Sequence, residues 1–176
     1  LFGLIITIRP TNVLVLLLVP FVAGSWEQTK KLLLSTFNSG KNLIAALLAL
    51  LVFPVLTMIL WFIQSGRLIV YSYGDEGFDF LNPHFFQILF SFDKGWFVYT
   101  PIALLSMAGL IRLFRHNRFQ FYWMTAFLVI FVYAASSWWV WNYTSNFGQR
   151  IFIDLYAVVA LLLGFSWKLT SRRKII

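Results

Sequence analysis

The chain contains no cysteine, which excludes disulfides, iron–sulfur ligation and thiol catalysis. Histidine is nearly as scarce: the two copies, His84 and His116, stand far apart in the sequence, and no zinc site is expected from them. Charge is sparse too, at 11% of residues with only six acids, against 60% hydrophobic and 20% aromatic residues. The mean hydropathy is +0.80. A soluble domain of 176 residues could not hide that much apolar surface in one core. An all-α, polytopic transmembrane helix bundle is expected, and residues 1–176 read as a single transmembrane domain. The chain opens on Leu1 inside an apolar run, without the charged, apolar and small-residue order of a signal peptide. It therefore reads as a piece of a longer protein.

Crossing about 30 Å of hydrocarbon takes roughly 20 apolar residues. Residues 43–63, 96–114, 119–137 and 151–167 have this character, the last being short. A further run, Phe2 to Ala23, is interrupted by "RPTN" at 9–12, where Pro10 either kinks one helix or separates two. This predicts about five spans. If the spans alternate, Lys30, Lys31, Lys41, Arg112, Arg115, Arg118, Lys168, Arg172, Arg173 and Lys174 fall on one side. Arg67, Lys94 and Arg150 fall on the other, with Arg9 undecided. Loops rich in Lys and Arg stay cytoplasmic, so the first group marks the cytoplasm and places the C-terminus there. The acids other than Glu27 lie on or near the opposite face. The +8 net charge then reflects topology and not nucleic-acid binding. Trp26, Trp61, Trp96, Trp123, Trp138, Trp139 and Trp167 sit near predicted helix ends, where an amphipathic ring prefers the interface.

Two loops are left facing the exterior. In the longer, 64–95, Asn82-Pro83 reads as a helix start, and "HFFQILFSF" is too short to cross, so an external interfacial helix is expected. The same loop holds "GDEGFD", whose Asp75, Glu76 and Asp79 could bind a divalent cation, meet sugar hydroxyls or form a solvated turn. His84 reads as a polar residue near the helix start and His116 as part of a basic turn. "NYT" at 142–144 matches a glycosylation acceptor pattern.

The shorter external loop, 138–150, leads into Arg150 and Asp154 at i and i+4, which on an α-helix share one face and can pair. Ionisable groups at such a depth are functional candidates unless they pair or snorkel. A guanidinium at headgroup level suits a lipid phosphate, because its planar donors match phosphate oxygens. Arg67 and Lys94 could join it.

Three stretches, "GLIITIRPTNVLVLLLVP", "FSFDKGWFVYTPIALLSMAGL" and "SSWWVWNYTSNFGQRIFIDLYAVVALLLGF", resemble in that order the C-terminal half of bacterial membrane proteins in the C-type glycosyltransferase superfamily. These are relatives of protein O-mannosyltransferases and of lipid A aminoarabinose transferase. The resemblance implies sugar transfer from a polyprenyl-phosphate carrier on the external face of a bacterial inner membrane, with or without a divalent cation. It implies that Gln149 and Arg150 stand near the donor phosphate and that Trp138, Trp139 and Trp141 wall the site. It also implies that the acid activating the acceptor belongs to an earlier loop outside this chain, so no catalytic residue is expected here. The other expectation is a non-catalytic subunit that packs against membrane partners. A transporter fits less well, since the spans carry few polar groups.

Overall fold

The computed structural model describes residues 2–38, 40–70, 74, 76–143 and 148–171. Asp75, Thr144, Arg172, Arg173 and Lys174, all singled out above, lie outside the described residues. Among the described residues the chain is all-helical, its only extended pairing being one isolated bridge. Contacts group it into two compact units, Leu1–Glu76 and Gly77–Ile176.

In the first unit, α1 (Phe2–Ile8) stops at Arg9, whose extended backbone hands over to a 3-10 segment at Pro10–Leu17. Pro10 thus separates two helices, because it disfavours the helical conformation in the residue before it. The chain continues into α2 (Leu18–Ala23) and turns at Gly24, where a left-handed φ of 81° ends the helix. Ser25 then caps α3 (Trp26–Phe37) by accepting the Gln28 N–H at 3.3 Å. The segments either side of the turn, Pro10–Ala23 and Trp26–Phe37, meet at 120°.

Helix α4 (Gly40–Ser65) has 26 residues and none of them is buried. At about 1.5 Å per residue it is long enough to cross a bilayer. It packs on α1 through Gly3, where any Cβ would collide with the carbonyl of Leu50.

The second unit holds α5 (Phe85–Phe90), α6 (Trp96–Tyr99), α7 (Pro101–Ser106), α8 (Ala108–His116) and α9 (Arg118–Ser136). A 3-10 segment at Arg150–Leu155 then leads into α10 (Tyr156–Ser171). Buried Ala103, Ser106 and Gly109 recur every three residues, and both α7 and α8 pack on α10. Small residues of this kind let helix backbones approach where lipid removes the hydrophobic drive for association. At Gly109 the approach is so close that a Cβ would run into the backbone of Leu162.

Among the described residues, three helical stretches are long and apolar enough to cross a membrane, Gly40–Ser65, Arg118–Ser136 and Arg150–Trp167, or up to four if the bent pair counts as one. The run expected as one span at 96–114 is divided into α6, α7 and α8. Pro101 has no N–H and pushes Thr100 out of the helical region, to φ −134° and ψ 67°. At Met107 the hydrogen bonds tighten to Leu104. The expected short helix in the long loop forms, but begins at Phe85 and not at Asn82-Pro83. Asn82 belongs instead to the preceding turn, where its Nδ2 donates to Asp79 at 2.9 Å, and His84 takes the capping position.

Candidate functional site

Residues 77–84 are fastened to the end of α9 by main-chain bonds. The Asp79 N–H donates to the Ser137 carbonyl at 2.7 Å, Trp139 to Gly77 at 3.0 Å and His84 to Ser136 at 2.9 Å. The Tyr133 hydroxyl donates to the Phe80 carbonyl at 2.8 Å. Phe78 and Trp138 form the isolated antiparallel bridge and meet edge to face at 4.9 Å. Phe78 stacks on Phe80, and both Phe80 and Phe85 pack on Tyr133. These bonds satisfy loop backbone groups that would otherwise be costly to shield from water. His84 occupies the capping position of α5 with its ring 6.2 Å from that of Trp141, consistent with its expected place at a helix start.

Asp79 works within this clasp as a turn former. One carboxylate oxygen accepts the Leu81 and Asn82 N–H groups at 3.1 and 3.3 Å, and the other accepts the Asn82 side-chain amide at 2.9 Å. The Asn82 side chain, then the Leu81 N–H, hold its pKa below the ordinary 3.8. A carboxyl depressed in the folded state contributes stability above its unfolded pKa and loses it as the pH falls through the folded value. The turn is therefore at full strength at neutral pH and weakens only below about pH 3.8. Asn82→Ala is expected to raise the Asp79 midpoint toward 3.8 in an NMR titration, and an unchanged midpoint would remove Asn82 as the cause. Glu76 is half-buried. Among the described residues, no group of three or more His, Asp or Glu side chains gathers as a metal site would require.

Beyond α5 the chain makes a tight turn over 91–95. The Gly95 N–H donates to the Ser91 carbonyl at 2.7 Å, and a Cβ on Gly95 would strike the backbone of Phe90 and Ser91. The Tyr99 hydroxyl closes the turn by donating to the Phe92 carbonyl at 2.7 Å. Lys94 is carried inward by this turn, only 9% exposed, and its Nζ is buried without a partner. Trp96 follows at 2% exposure, with its ring stacked 4.2 Å from Phe152 and its Nε1 also lacking a partner. Its expected place in the interfacial belt is thus corrected: the stack on Phe152 draws it into the core of the unit.

The second half of the site comes from residues 148–152. Gly148 adopts φ 61°, and its α-carbon packs so near Tyr99 that a Cβ would lie 3.4 Å from that side chain. Gln149 is 5% exposed; its Nε2 donates to the Trp141 carbonyl at 3.2 Å, which leaves Oε1 buried and unpartnered. The Trp96–Phe152 stack and the Tyr99–Gly148 contact hold the two segments together. Lys94 Nζ and Trp96 Nε1 on one segment and Gln149 Oε1 on the other are each buried without a partner.

Arg150 is exposed at the start of the 3-10 segment. This winding bears on the expected Arg150–Asp154 alignment. Positions i and i+4 lie about 40° apart around an α-helix but about 120° apart at three residues per turn. Both side chains are exposed.

Of the expected phosphate-binding set, Lys94, Gln149 and Arg150 lie in one unit on segments joined by the Trp96–Phe152 stack, whereas Arg67 is an exposed residue of the other unit. Of the three tryptophans, Trp141 reaches the site through its carbonyl, Trp138 lies against Phe78, and Trp139 is exposed. Sequence reasoning missed Trp96 and Phe152 as the pair that builds the site. The small residue in "KGW" was the available signal, since only glycine fits the turn that buries Lys94. No family model, curated protein or solved structure matches the chain.

Proposed function

We propose that the chain is the C-terminal part of a membrane glycosyltransferase that moves a sugar from a polyprenyl-phosphate donor to an acceptor on the periplasmic face of a bacterial inner membrane. In this reading it crosses the membrane about five times, with residues 96–114 crossing as a broken helix and α5 lying along the outer surface. The basic loops and the C-terminus are cytoplasmic.

The observation that supports the reading is a buried and unpartnered Lys94 Nζ on a segment that the Trp96–Phe152 stack holds against the segment carrying the exposed Arg150. A lysine ammonium is costly to bury without a counter-charge, and a departing phosphate supplies one. In the transfer step the bond between the sugar's anomeric carbon and the phosphate oxygen breaks, and the acceptor oxygen bonds to that carbon. The acceptor's proton passes to a carboxylate from an earlier loop, and the bond's electron pair leaves with the phosphate. Arg150 stabilises the charge that develops there.

A second reading, a non-catalytic subunit of a membrane complex, is favoured by α4, which buries no residue within its own unit and offers a long face to partner helices. The two readings separate in vesicles holding the full-length protein. Under the first, labelled sugar leaves a polyprenyl-phosphate donor and the carrier phosphate is released. No turnover, together with stoichiometric co-purifying membrane partners, would establish the second.

A further inference from the structure

We infer that the groove between the Pro10–Ala23 segment and α3 seats one anionic phospholipid of the cytoplasmic leaflet, with its headgroup at Lys31 and Gln28 and an acyl chain running inward past Leu32. The seat lies wholly in the first unit and is independent of sugar transfer. The two segments turn through 120° and enclose a groove of about 570 Å³, lined on one side by Val15, Leu18, Val19 and Val22 and on the other by Gln28 and Leu32. Helix α3 is bracketed by apolar elements: Pro10–Ala23 leads into it, and α4, long enough to cross a bilayer, starts soon after it at Gly40. It is not the second half of a broken span, since Glu27, Gln28, Lys30 and Lys31 fall in its first two turns and are costly to place in hydrocarbon. Its neighbours therefore hold it at one membrane surface, and its lysines assign that surface to the cytoplasm. Exposed Trp26, with Lys30 Nζ 5.4 Å from the centre of its ring, suits the headgroup layer.

The order of residues around α3 fits a lipid lying along its flank. Successive residues are about 100° apart, so buried Thr29 marks the inward side and exposed Glu27 and Lys31 stand nearly opposite, toward water. Between these two sides come Gln28 and then Leu32, on the flank that meets the groove. Passing from water inward, the flank presents an ammonium, an amide and an isobutyl group, and the valines of Pro10–Ala23 lie across from them. A phospholipid presents the matching order of phosphate, glycerol ester and chain. The Lys31 ammonium meets the phosphate, and the Gln28 amide donates to an ester carbonyl. Lys30, Lys31 and Lys41 outnumber Glu27 along this stretch, which favours an anionic headgroup over a zwitterionic one.

The test places a fluorophore on Val22→Cys, in the groove, in the full-length protein freed of other cysteines and reconstituted in phosphatidylcholine vesicles. Leu48→Cys, an exposed site on α4 outside the groove, is the control. Phosphatidylglycerol and phosphatidylcholine, each spin-labelled at the headgroup end of one chain, are compared as quenchers at low salt. Phosphatidylglycerol is expected to quench the Val22 label at roughly fivefold lower content than phosphatidylcholine, about the effect of one lysine near an anionic lipid surface. The Leu48 label should show no preference. Lys31→Gln should remove the preference at Val22 and, because the side chain is exposed, leave the thermal midpoint unchanged. Added salt should shrink the preference as well. Equal quenching of Val22 by the two lipids would overturn the seat, since the groove would then be filled as any apolar surface is. A preference that survives Lys31→Gln, or that appears equally at Leu48, would also overturn it. Quenching by iodide and by neither lipid would place the groove in water, and quenching by none of the three would mean that protein covers it; both results contradict a lipid seat.

Discussion

Replacing Arg150 by alanine in the full-length protein is expected to lower sugar transfer by about 10²-fold or more, the usual consequence of deleting a donor aimed at developing negative charge. The side chain is exposed, so its loss should leave the fold and the thermal midpoint in detergent nearly unchanged. Arg150→Lys keeps the charge but not the planar fork, and should recover only part of the rate. Steady-state transfer with a labelled donor reads these effects. Full activity of Arg150→Ala would exclude Arg150 from the site, and equal loss in Asp154→Ala would point to a structural pair instead.

The largest stability effect is expected at Gly109. Its α-carbon lies against the backbone of Leu162, so a side chain there meets main-chain atoms that cannot rotate away. Gly109→Val should force α8 off α10 and cost about 3 kcal/mol, in the upper range for overpacking. The expected readout is a markedly lower thermal midpoint, or aggregation on extraction. Gly164 on α10 is the matched control, because a Cβ there would meet nothing within 4 Å. Gly164→Ala should be neutral or slightly stabilising, given the higher helix propensity of alanine. Equal losses from the two would mean that backbone approach at Gly109 does not hold the helices together.

The long helices were legible because their signal is length and apolar content, and both survive without tertiary information. Residues 43–63 and 119–137 appear as Gly40–Ser65 and Arg118–Ser136. The breaks at Thr100 and Met107 were not read, although Pro101 announced the first of them, because the apolar run continues through both. Hydropathy reports what a residue can sit beside, and says nothing of how the backbone turns.

The candidate site was legible by residue type and not by role. Lys94, Gln149 and Arg150 stand out as polar groups beside apolar stretches, yet which of them is buried depends on the turn at 91–95 and on the stack of Trp96 against Phe152. The stack joins residues more than fifty positions apart. The same limit explains Asp154, whose expected alignment with Arg150 assumed α-helical spacing where the chain is wound more tightly. It explains Asp79 as well: an acid among glycines reads equally as a ligand or a turn, and its bonds to Leu81 and Asn82 are those of a turn.

Photo-crosslinking tests the central claim most directly, using an isoprenyl monophosphate with a diazirine next to its phosphate and the full-length protein in native membranes. Labelled peptides are expected from both 94–99 and 148–152, with labelling suppressed by excess farnesyl monophosphate and not by farnesol. Labelling spread along the exposed faces of α4 and α10, indifferent to that competition, would show that the lipid meets the protein only as solvent and would contradict the phosphate site.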